Sequence, residues 1–190
     1  MVCDGKTAMN RIVVVGSSGS GKTTFARRLA AILDLPHLEM DSVFHRDGLA
    51  DEAHDDFVPI LEEFTDAERW VVDGNYTSHG ARDVVWPKAN TFFWLDLPRW
   101  TSVSRVVRRT LRRVLLRQEL WAGVKEPWSN LYSLDPYRNI IVWTWTRHAH
   151  VRAKYEEAML DESWRHATVH RLRSRSEAES FLDSLTLSQN

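Results

Sequence analysis

Five short apolar runs recur along the chain, and segments with apolar residues at helical spacing separate them. The runs are 12–15 (IVVV), 37–40 (HLEM), 69–74 (RWVVDG), 91–98 (TFFWLDLP) and 167–172 (ATVHRL). The first is a continuous stretch of β-branched residues, which is typical of a strand buried on both faces. Strands that alternate with helices favour a parallel sheet covered on both sides. We therefore predict an α/β fold with a five-stranded parallel sheet and helices on both faces.

The segments between these runs predict the helices. Phe25, Leu29, Ile32 and Leu33 form an amphipathic stripe that stops near Pro36. Further helices are predicted at 57–64, 100–121, 136–160 and 176–185.

A long helical excursion, residues 100–160, separates the fourth and fifth strands. It is too helical for a loop and too small for an independent domain, so we expect a lid. Asp135 precedes a proline and is predicted to cap the second helix of this excursion. Because no linker or repeat divides the chain, residues 11–190 are predicted to form one domain after a flexible N-terminus (1–10).

Composition and charge narrow the function classes. The 190 residues are 43% apolar and carry a net charge of −1, which does not favour nucleic acid or membrane as a partner. The single cysteine, Cys3, excludes an intramolecular disulfide and a zinc site built on cysteines. The first ten residues lack the apolar region of a signal peptide, and no run approaches the roughly 20 apolar residues of a spanning helix. We expect a cytoplasmic protein.

The loop after the first strand has the pattern of a phosphate-binding loop (P-loop, or Walker A motif). Its sequence GSSGSGKT matches G-x-x-x-x-G-K-[ST] at every defined position. Glycines let backbone N–H groups turn around an anion, and the positive end of the following helix points to the same place. A flexible glycine-serine turn is the alternative, but the strand before and the helix after supply the context that the motif requires. The predicted nucleotide-binding residues are Gly16, Ser17, Ser18, Gly19, Ser20, Gly21, Lys22, Thr23 and Thr24.

Two side chains of this loop have specific expected roles. Lys22 would reach the β- and γ-phosphates, and the Thr23 hydroxyl would bind Mg²⁺. ATP and Mg²⁺ are therefore the expected cofactors.

The order of the motifs resembles one group of kinases. After the P-loop come EMD (39–41), WVVDGNY (70–76), WPKANTFFWLDLP (86–98) and an arginine-rich helix. This order is similar to that of adenylate-kinase-like P-loop kinases, and closest to the topology-modulation (FlaR-related) branch. The resemblance covers roughly residues 11–185 and implies transfer of phosphate from ATP to a small molecule or nucleotide.

The resemblance assigns roles to two aspartates. Asp73, in the position of the DG pair that ends the third core strand of adenylate kinases, is implied to organise Mg²⁺ through water. Independently, a carboxylate there lies at the ligand-binding edge of a parallel sheet, although an Asp-Gly turn is an alternative. Asp41 ends the second strand candidate, where an acid in related kinases faces the acceptor hydroxyl as a general base or orienting group. The alternative for Asp41 is a helix cap. Candidates for lining the acceptor pocket are His45, Arg46 and His54.

The resemblance also assigns two arginines, four residues apart, to the helix after the fourth strand. They fall on Arg105 and Arg109, one near the adenine and the other at the phosphates, where a planar guanidinium can stabilise a transferring phosphoryl group. Seven arginines between 99 and 117 exceed what one ATP needs, so several are expected to be solvated or ion-paired. Asp96 is expected to be structural. The segment 170–174 is placed near the adenine by resemblance alone.

Residues of the second excursion helix leave alternatives open. Arg147 is a candidate arginine finger or an exposed residue, and no role is assigned to His148. Trp143 and Trp145 would point about 200° apart on a helix and so cannot form one stacking face. Core packing is expected for most of the nine tryptophans.

Two functions from different classes remain. The favoured one is an ATP-dependent kinase whose small-molecule acceptor lies between Asp41 and the DGNY edge. The alternative is a nucleic-acid-associated ATPase or regulator of the topology-modulation type, for which the arginine helix would be the footprint. The sequence DGNYT in place of DGFPR argues against adenylate kinase activity itself. A GTPase is rejected because no N/T-K-x-D pattern is present.

Overall fold

The computed structural model describes residues 9–45, 55–75, 80–116, 133, 135, 139–160 and 164–189. The strands are β1 (Arg11–Gly16), β2 (His37–Glu39), β3 (Trp70–Asp73), β4 (Thr91–Leu95) and β5 (Thr168–Leu172). They form one parallel sheet with the order β2-β3-β1-β4-β5. The predicted five-stranded parallel sheet is confirmed, and all five predicted runs contribute a strand.

Helices cover both faces of the sheet. They are α1 (Lys22–Leu33), α2 (Met40–Phe44), α3 (Phe57–Thr65), α4 (Ala81–Val85), α5 (Arg99–Leu115), α6 (Ile140–Leu160) and α7 (Arg175–Gln189). On β1, Val13 and Val15 pack with residues of α2, α3, α4 and α6, whereas Ile12 and Val14 pack with residues of α1 and α7. This alternation is why every residue from Ile12 to Val15 is apolar: the strand has no solvent-facing side.

The sheet brings the carboxyl ends of β1, β2, β3 and β4 to one edge. β1 lies between β3 and β4, and Val14 is in register with Asp73 while Gly16 is in register with Leu95. Glu39 of β2 is in register with Asp73 on the other side. Ligands of such folds bind outside the carboxyl ends of the strands, at the point where the strand order reverses. This edge is therefore the expected ligand-binding edge of the sheet.

The predicted placement of Asp41 at the end of a strand is wrong. β2 ends at Glu39, and Asp41 lies in the first turn of α2. The Ser42 hydroxyl donates to the carbonyl of Glu39 at 2.7 Å, which stabilises this tight change from strand to helix. Asp41 therefore stays at the same edge but projects from a short helix.

The second helix of the excursion starts later than predicted. α6 begins at Ile140, and Asn139 caps it. Residues 136–138, which follow the predicted cap Asp135, lie outside the described residues. The Asn139 side-chain oxygen accepts hydrogen bonds from the backbone N–H groups of Ile141 at 2.9 Å and Val142 at 3.3 Å. An asparagine whose oxygen meets these first N–H groups satisfies donors that have no partner inside the helix.

Helices α5 and α6 follow β4 and precede β5 along the chain, as predicted for the excursion. The His148 ring contacts the carbonyl oxygen of Leu97 at 2.9 Å (Nε2 to O), and this histidine is buried. The action of the excursion as a lid stays a prediction. Arg46 and His54, two candidates for lining the acceptor pocket, lie outside the described residues. None of the described helices is both long enough and apolar enough to span a bilayer.

Candidate functional site

The P-loop adopts a backbone conformation that requires glycine at two positions. Gly19 has φ +78° and Gly21 has φ +91°, values that side-chain-bearing residues rarely adopt. Between them, the N–H of Ser20 donates to the carbonyl of Ser17 at 3.1 Å. Lys22 follows as the first residue of α1, so the loop ends where the helix begins.

Helix α5 packs directly on this loop. A Cβ atom added to Gly19 would lie 2.3 Å from the carbonyl oxygen of Ser102, so only glycine permits this approach. The Ser17 and Ser102 hydroxyl oxygens are 3.2 Å apart, and Arg105 Nη1 donates to the carbonyl of Ser20 at 3.0 Å. Arg105, which the resemblance implied as a site residue, therefore contacts the P-loop backbone.

Asn75 clamps the first glycine of the loop. Its Nδ2 donates to the carbonyl of Gly16 at 2.5 Å, and its Oδ1 accepts from the Gly16 N–H at 3.4 Å. The Tyr155 hydroxyl of α6 donates to the same Oδ1 at 2.8 Å. Burial raises the pKa of Tyr155, so the hydroxyl keeps the proton that it donates. The asparagine of the DGN segment thus connects β3, the P-loop and α6.

Replacing Asn75 with alanine should loosen the P-loop. The backbone groups of Gly16 and the Tyr155 hydroxyl would lose their partners, at a cost of about 1–3 kcal/mol for each buried group left unsatisfied. We expect a lower free energy of unfolding, measured with urea. We also expect about tenfold weaker binding of AMPPNP·Mg²⁺, which corresponds to a loss of about 1.4 kcal/mol from the nucleotide-bound state.

The matched variant is Tyr155→Phe, which removes one hydroxyl and leaves both bonds between Asn75 and Gly16. It should cost less than Asn75→Ala in both measurements. Wild-type stability and affinity in Asn75→Ala would show that the clamp does not hold the loop.

Asp73 lies beside the loop, almost fully buried at 1% exposure. Its Oδ1 is 3.3 Å from the His37 ring nitrogen Nε2, while its Oδ2 has no hydrogen-bond partner among the described residues. The Ser20 hydroxyl is buried and equally without a partner there. Buried polar atoms nearly always have hydrogen-bond partners. These two atoms could therefore take their partners from a bound ligand.

One cavity of about 560 Å³ opens at this edge. It is lined by residues 19–24 of the loop and helix α1 together with Asp41, Arg105 and Arg109. The tertiary structure thus brings together most of the side chains that the sequence predicted. Residues 16–18 and Asp73 do not line the cavity.

The cavity is electropositive. Among the described residues that line it, seven are cationic and three are acidic. Burial, followed by the charges of Arg175 and Arg108, lowers the pKa of Arg105. This excess of positive charge suits a polyphosphate.

Two of the three acids form ion pairs with arginines that also line the cavity. Arg27 binds Glu39 at 2.7 Å, and Glu179 pairs with Arg28. The hydrogen bond from Arg28 is the main cause that lowers the pKa of Glu179. The second pair connects α1 to α7 along the wall of the cavity.

Comparison with known proteins rests on the fold. No family model matches the chain, and no curated protein matches it. Shikimate kinase from Acinetobacter baumannii, in complex with shikimate, superposes with a TM-score of 0.58 at 17% identity over 96% of both chains. Gluconokinase from Sinorhizobium meliloti gives 0.52 at 16% identity over 95% of both chains. Shikimate kinase from Bacteroides thetaiotaomicron gives 0.51 at 16% identity over 96% of this chain and 99% of that one. The chain has the fold of these P-loop kinases.

Within this P-loop kinase fold, several site residues were not predicted from the sequence. Glu39, Asn75, Ser102, Arg175 and Glu179 contact the loop or line the cavity. The signal for Glu39 was the EMD segment, but its position beside Asp73 depends on which strands are neighbours. The signal for Asn75 was the DGNY segment, but the sequence assigned no role to its asparagine. Nothing local in the sequence distinguishes Ser102, Arg175 and Glu179 from ordinary surface residues.

The residues predicted to lie near the adenine, 170–174, do not all face the cavity. The guanidinium carbon of Arg171 lies 4.1 Å from the centre of the Trp94 ring, away from the cavity. Its Nε and Nη2 atoms donate to Asp96 Oδ2 at 2.9 Å and 2.6 Å. Asp96 is thus ion-paired with Arg171, and its structural role stays a prediction. Ser174 and Arg175 do line the cavity.

Four of the seven tryptophans that the structure describes are buried in the core: Trp70, Trp86, Trp94 and Trp164. Trp100 is 71% exposed, and Trp121 and Trp128 lie outside the described residues, so core packing of most of the nine stays a prediction. Trp143 and Trp145 have different neighbours: Arg147 lies over the Trp143 ring, while Trp145 meets Trp100. A role for Arg147 as an arginine finger stays a prediction.

Proposed function

We propose that the chain is an ATP-dependent phosphotransferase that moves the γ-phosphoryl group of ATP to a small acceptor. The observation that carries this proposal is the convergence of the P-loop, Asp41 and two α5 arginines on one electropositive cavity. The resemblance to the topology-modulation branch remains a prediction from the sequence motifs.

The loop and α1 would hold the donor. Backbone N–H groups of residues 19–21 and the Lys22 ammonium would surround the phosphates, with the positive end of α1 behind them. Thr23 and Asp73 would hold Mg²⁺, Asp73 through water, and the unpartnered Asp73 Oδ2 fits such a role. When bound, Mg²⁺ supplies charge neutralisation for the phosphate oxygens.

Asp41 would act on the acceptor. As the hydroxyl oxygen of the acceptor bonds to the γ-phosphorus, the bond from that phosphorus to the β-phosphate oxygen breaks and ADP leaves. The hydroxyl proton passes to the Asp41 carboxylate, or to solvent if Asp41 only orients the hydroxyl. Arg105 and Arg109 line the same cavity, where guanidinium groups would stabilise the charge on the transferred group.

The test is a screen of ATP consumption against nucleosides, nucleotides, sugars, sugar acids and small polyols. Gluconate and shikimate come first, because the structural neighbours are named as kinases for them. Acceptor-dependent formation of ADP together with a phosphorylated product supports the proposal. ATP turnover that responds only to added DNA, with no phosphorylated small molecule, would contradict it and favour the nucleic-acid-associated ATPase.

The variant Asp41→Asn separates donor binding from transfer. We expect AMPPNP·Mg²⁺ affinity to stay at the wild-type value, since the Asp41 side chain makes no hydrogen bond or ion pair with the P-loop in the described part of the chain. Phosphoryl transfer should fall by about 10²–10⁴-fold. The measurements are calorimetric titration and initial rates with the acceptor from the screen. Full transfer by the variant would remove Asp41 from the mechanism.

A further inference from the structure

The Asp73 carboxylate receives a hydrogen bond from the neighbouring strand. β2 and β3 pair in parallel, with His37 in register with Val71 and Glu39 in register with Asp73. Because side chains two positions apart on a strand point to the same face, His37 and Glu39 share one face of β2. Helix α1 covers that face, since its Arg27 pairs with Glu39. There the His37 ring nitrogen Nε2 lies 3.3 Å from Asp73 Oδ1, with the His37 side chain only 15% exposed.

Other contacts hold the backbone beyond Asp73, so the carboxylate itself is what His37 orients. The Gly74 N–H donates to the carbonyl of Val14 at 3.3 Å, and Asn75 is bound to Gly16. The last torsion of an aspartate is broad and roughly two-fold, so a carboxylate without partners exchanges its two oxygens easily. The contact with His37 distinguishes them: Oδ1 is engaged, and Oδ2 has no partner among the described residues.

The direction of this hydrogen bond follows from the chemistry of the two groups. A carboxylate only accepts hydrogen bonds, so the His37 Nε2 carries the hydrogen. His37 is not among the residues that line the nucleotide cavity, and it would therefore act on a ligand there only through Asp73. Groups that orient a metal-binding side chain typically contribute 10–100-fold to metal affinity without touching the metal.

We propose that His37 is a positioning residue, which holds Oδ1 of Asp73 so that Oδ2 is the oxygen presented to the water shell of Mg²⁺. This inference rests on the proposed phosphotransferase function, which assigns Asp73 to Mg²⁺. A pair with a purely structural role would stabilise the edge of the sheet and leave the contribution of the metal unchanged.

The test measures how much Mg²⁺ strengthens nucleotide binding by the full chain. AMPPNP is titrated by calorimetry once in EDTA and once in excess magnesium chloride, and the ratio of the two dissociation constants is the readout. In His37→Leu this ratio should fall by about tenfold relative to the wild type. Binding in EDTA should stay at the wild-type value, because His37 does not line the cavity.

Further variants separate positioning from stability. H37Q places an amide N–H at a similar reach and should restore part of the ratio. H37N has an amide that stops short of Asp73, so it removes the same contact with a polar side chain if H37L does not fold. The matched control is H166L, because His166 contacts the Trp86 carbonyl at 3.1 Å and lies outside the cavity. It should leave the ratio unchanged.

A double-mutant cycle shows whether His37 acts through Asp73. D73N alone should lower the ratio, and adding H37L to D73N should lower it no further, since residues that act as a unit are not additive. A wild-type ratio in H37L or H37N, even with a lower urea midpoint, would overturn the inference. An equal further loss in the D73N background would overturn it too. Absence of AMPPNP binding by the wild type under both conditions would instead contradict the proposed donor site.

Discussion

Replacing Lys22 with alanine is expected to abolish nucleotide turnover. Lys22 is the first residue of α1 and lines the cavity beside the loop glycines, so its ammonium lies where the phosphates would bind. Loss of one group that stabilises developing charge typically lowers the rate by about 10²–10³-fold. AMPPNP·Mg²⁺ affinity should fall as well, measured by calorimetric titration beside the rate of ATP consumption.

Lys88→Ala is the matched control for this experiment. Lys88 pairs with Asp66 at 2.7 Å, outside the cavity, so its removal deletes the same charge without touching the site. It should leave affinity and rate unchanged. Unchanged affinity and rate in Lys22→Ala as well would refute the nucleotide site.

Replacing Gly19 with alanine should be the most damaging change in the loop. The new Cβ would lie 2.3 Å from the Ser102 carbonyl oxygen and 2.7 Å from Val106 Cγ2, at a backbone φ of +78°. Backbone strain alone costs about 1–3 kcal/mol, and the overlap adds to it because α5 must move away from the loop. That movement would break the bond from Arg105 to the Ser20 carbonyl. We expect a lower urea midpoint and at least about tenfold weaker AMPPNP·Mg²⁺ binding, which corresponds to about 1.4 kcal/mol.

Gly21→Ala separates strain from overlap. Gly21 has a similar positive φ of +91°, but the nearest atom to its added Cβ is Arg105 Nη1 at 3.4 Å, an ordinary contact. The variant therefore carries the strain without the collision, and its losses should be smaller than those of Gly19→Ala. Equal losses would show that the contact between α5 and the loop does not matter for the site.

The sequence determined the strands, the loop and the order of the elements. The run from Ile12 to Val15 is apolar throughout because both faces of β1 are covered. A strand of this kind can be recognised from its own short sequence, without knowledge of its neighbours in the sheet. Likewise, the glycines and Lys22 are recognisable because their conformation and chemistry depend on immediate neighbours in the chain. Arg105 could be located from a resemblance, but its contact with the Ser20 carbonyl could not.

The tertiary structure decided which distant residues meet. Glu39 stands beside Asp73 because β2 pairs with β3, and Asn75 reaches Gly16 across 59 positions of sequence. Asp41 projects from α2 because the chain turns at Glu39 into a helix, a change that the strand pattern did not contain. The physical reason is common to all three. Apolar periodicity records only whether a side chain is buried, whereas these contacts depend on strand order and on polar partners far away in the chain.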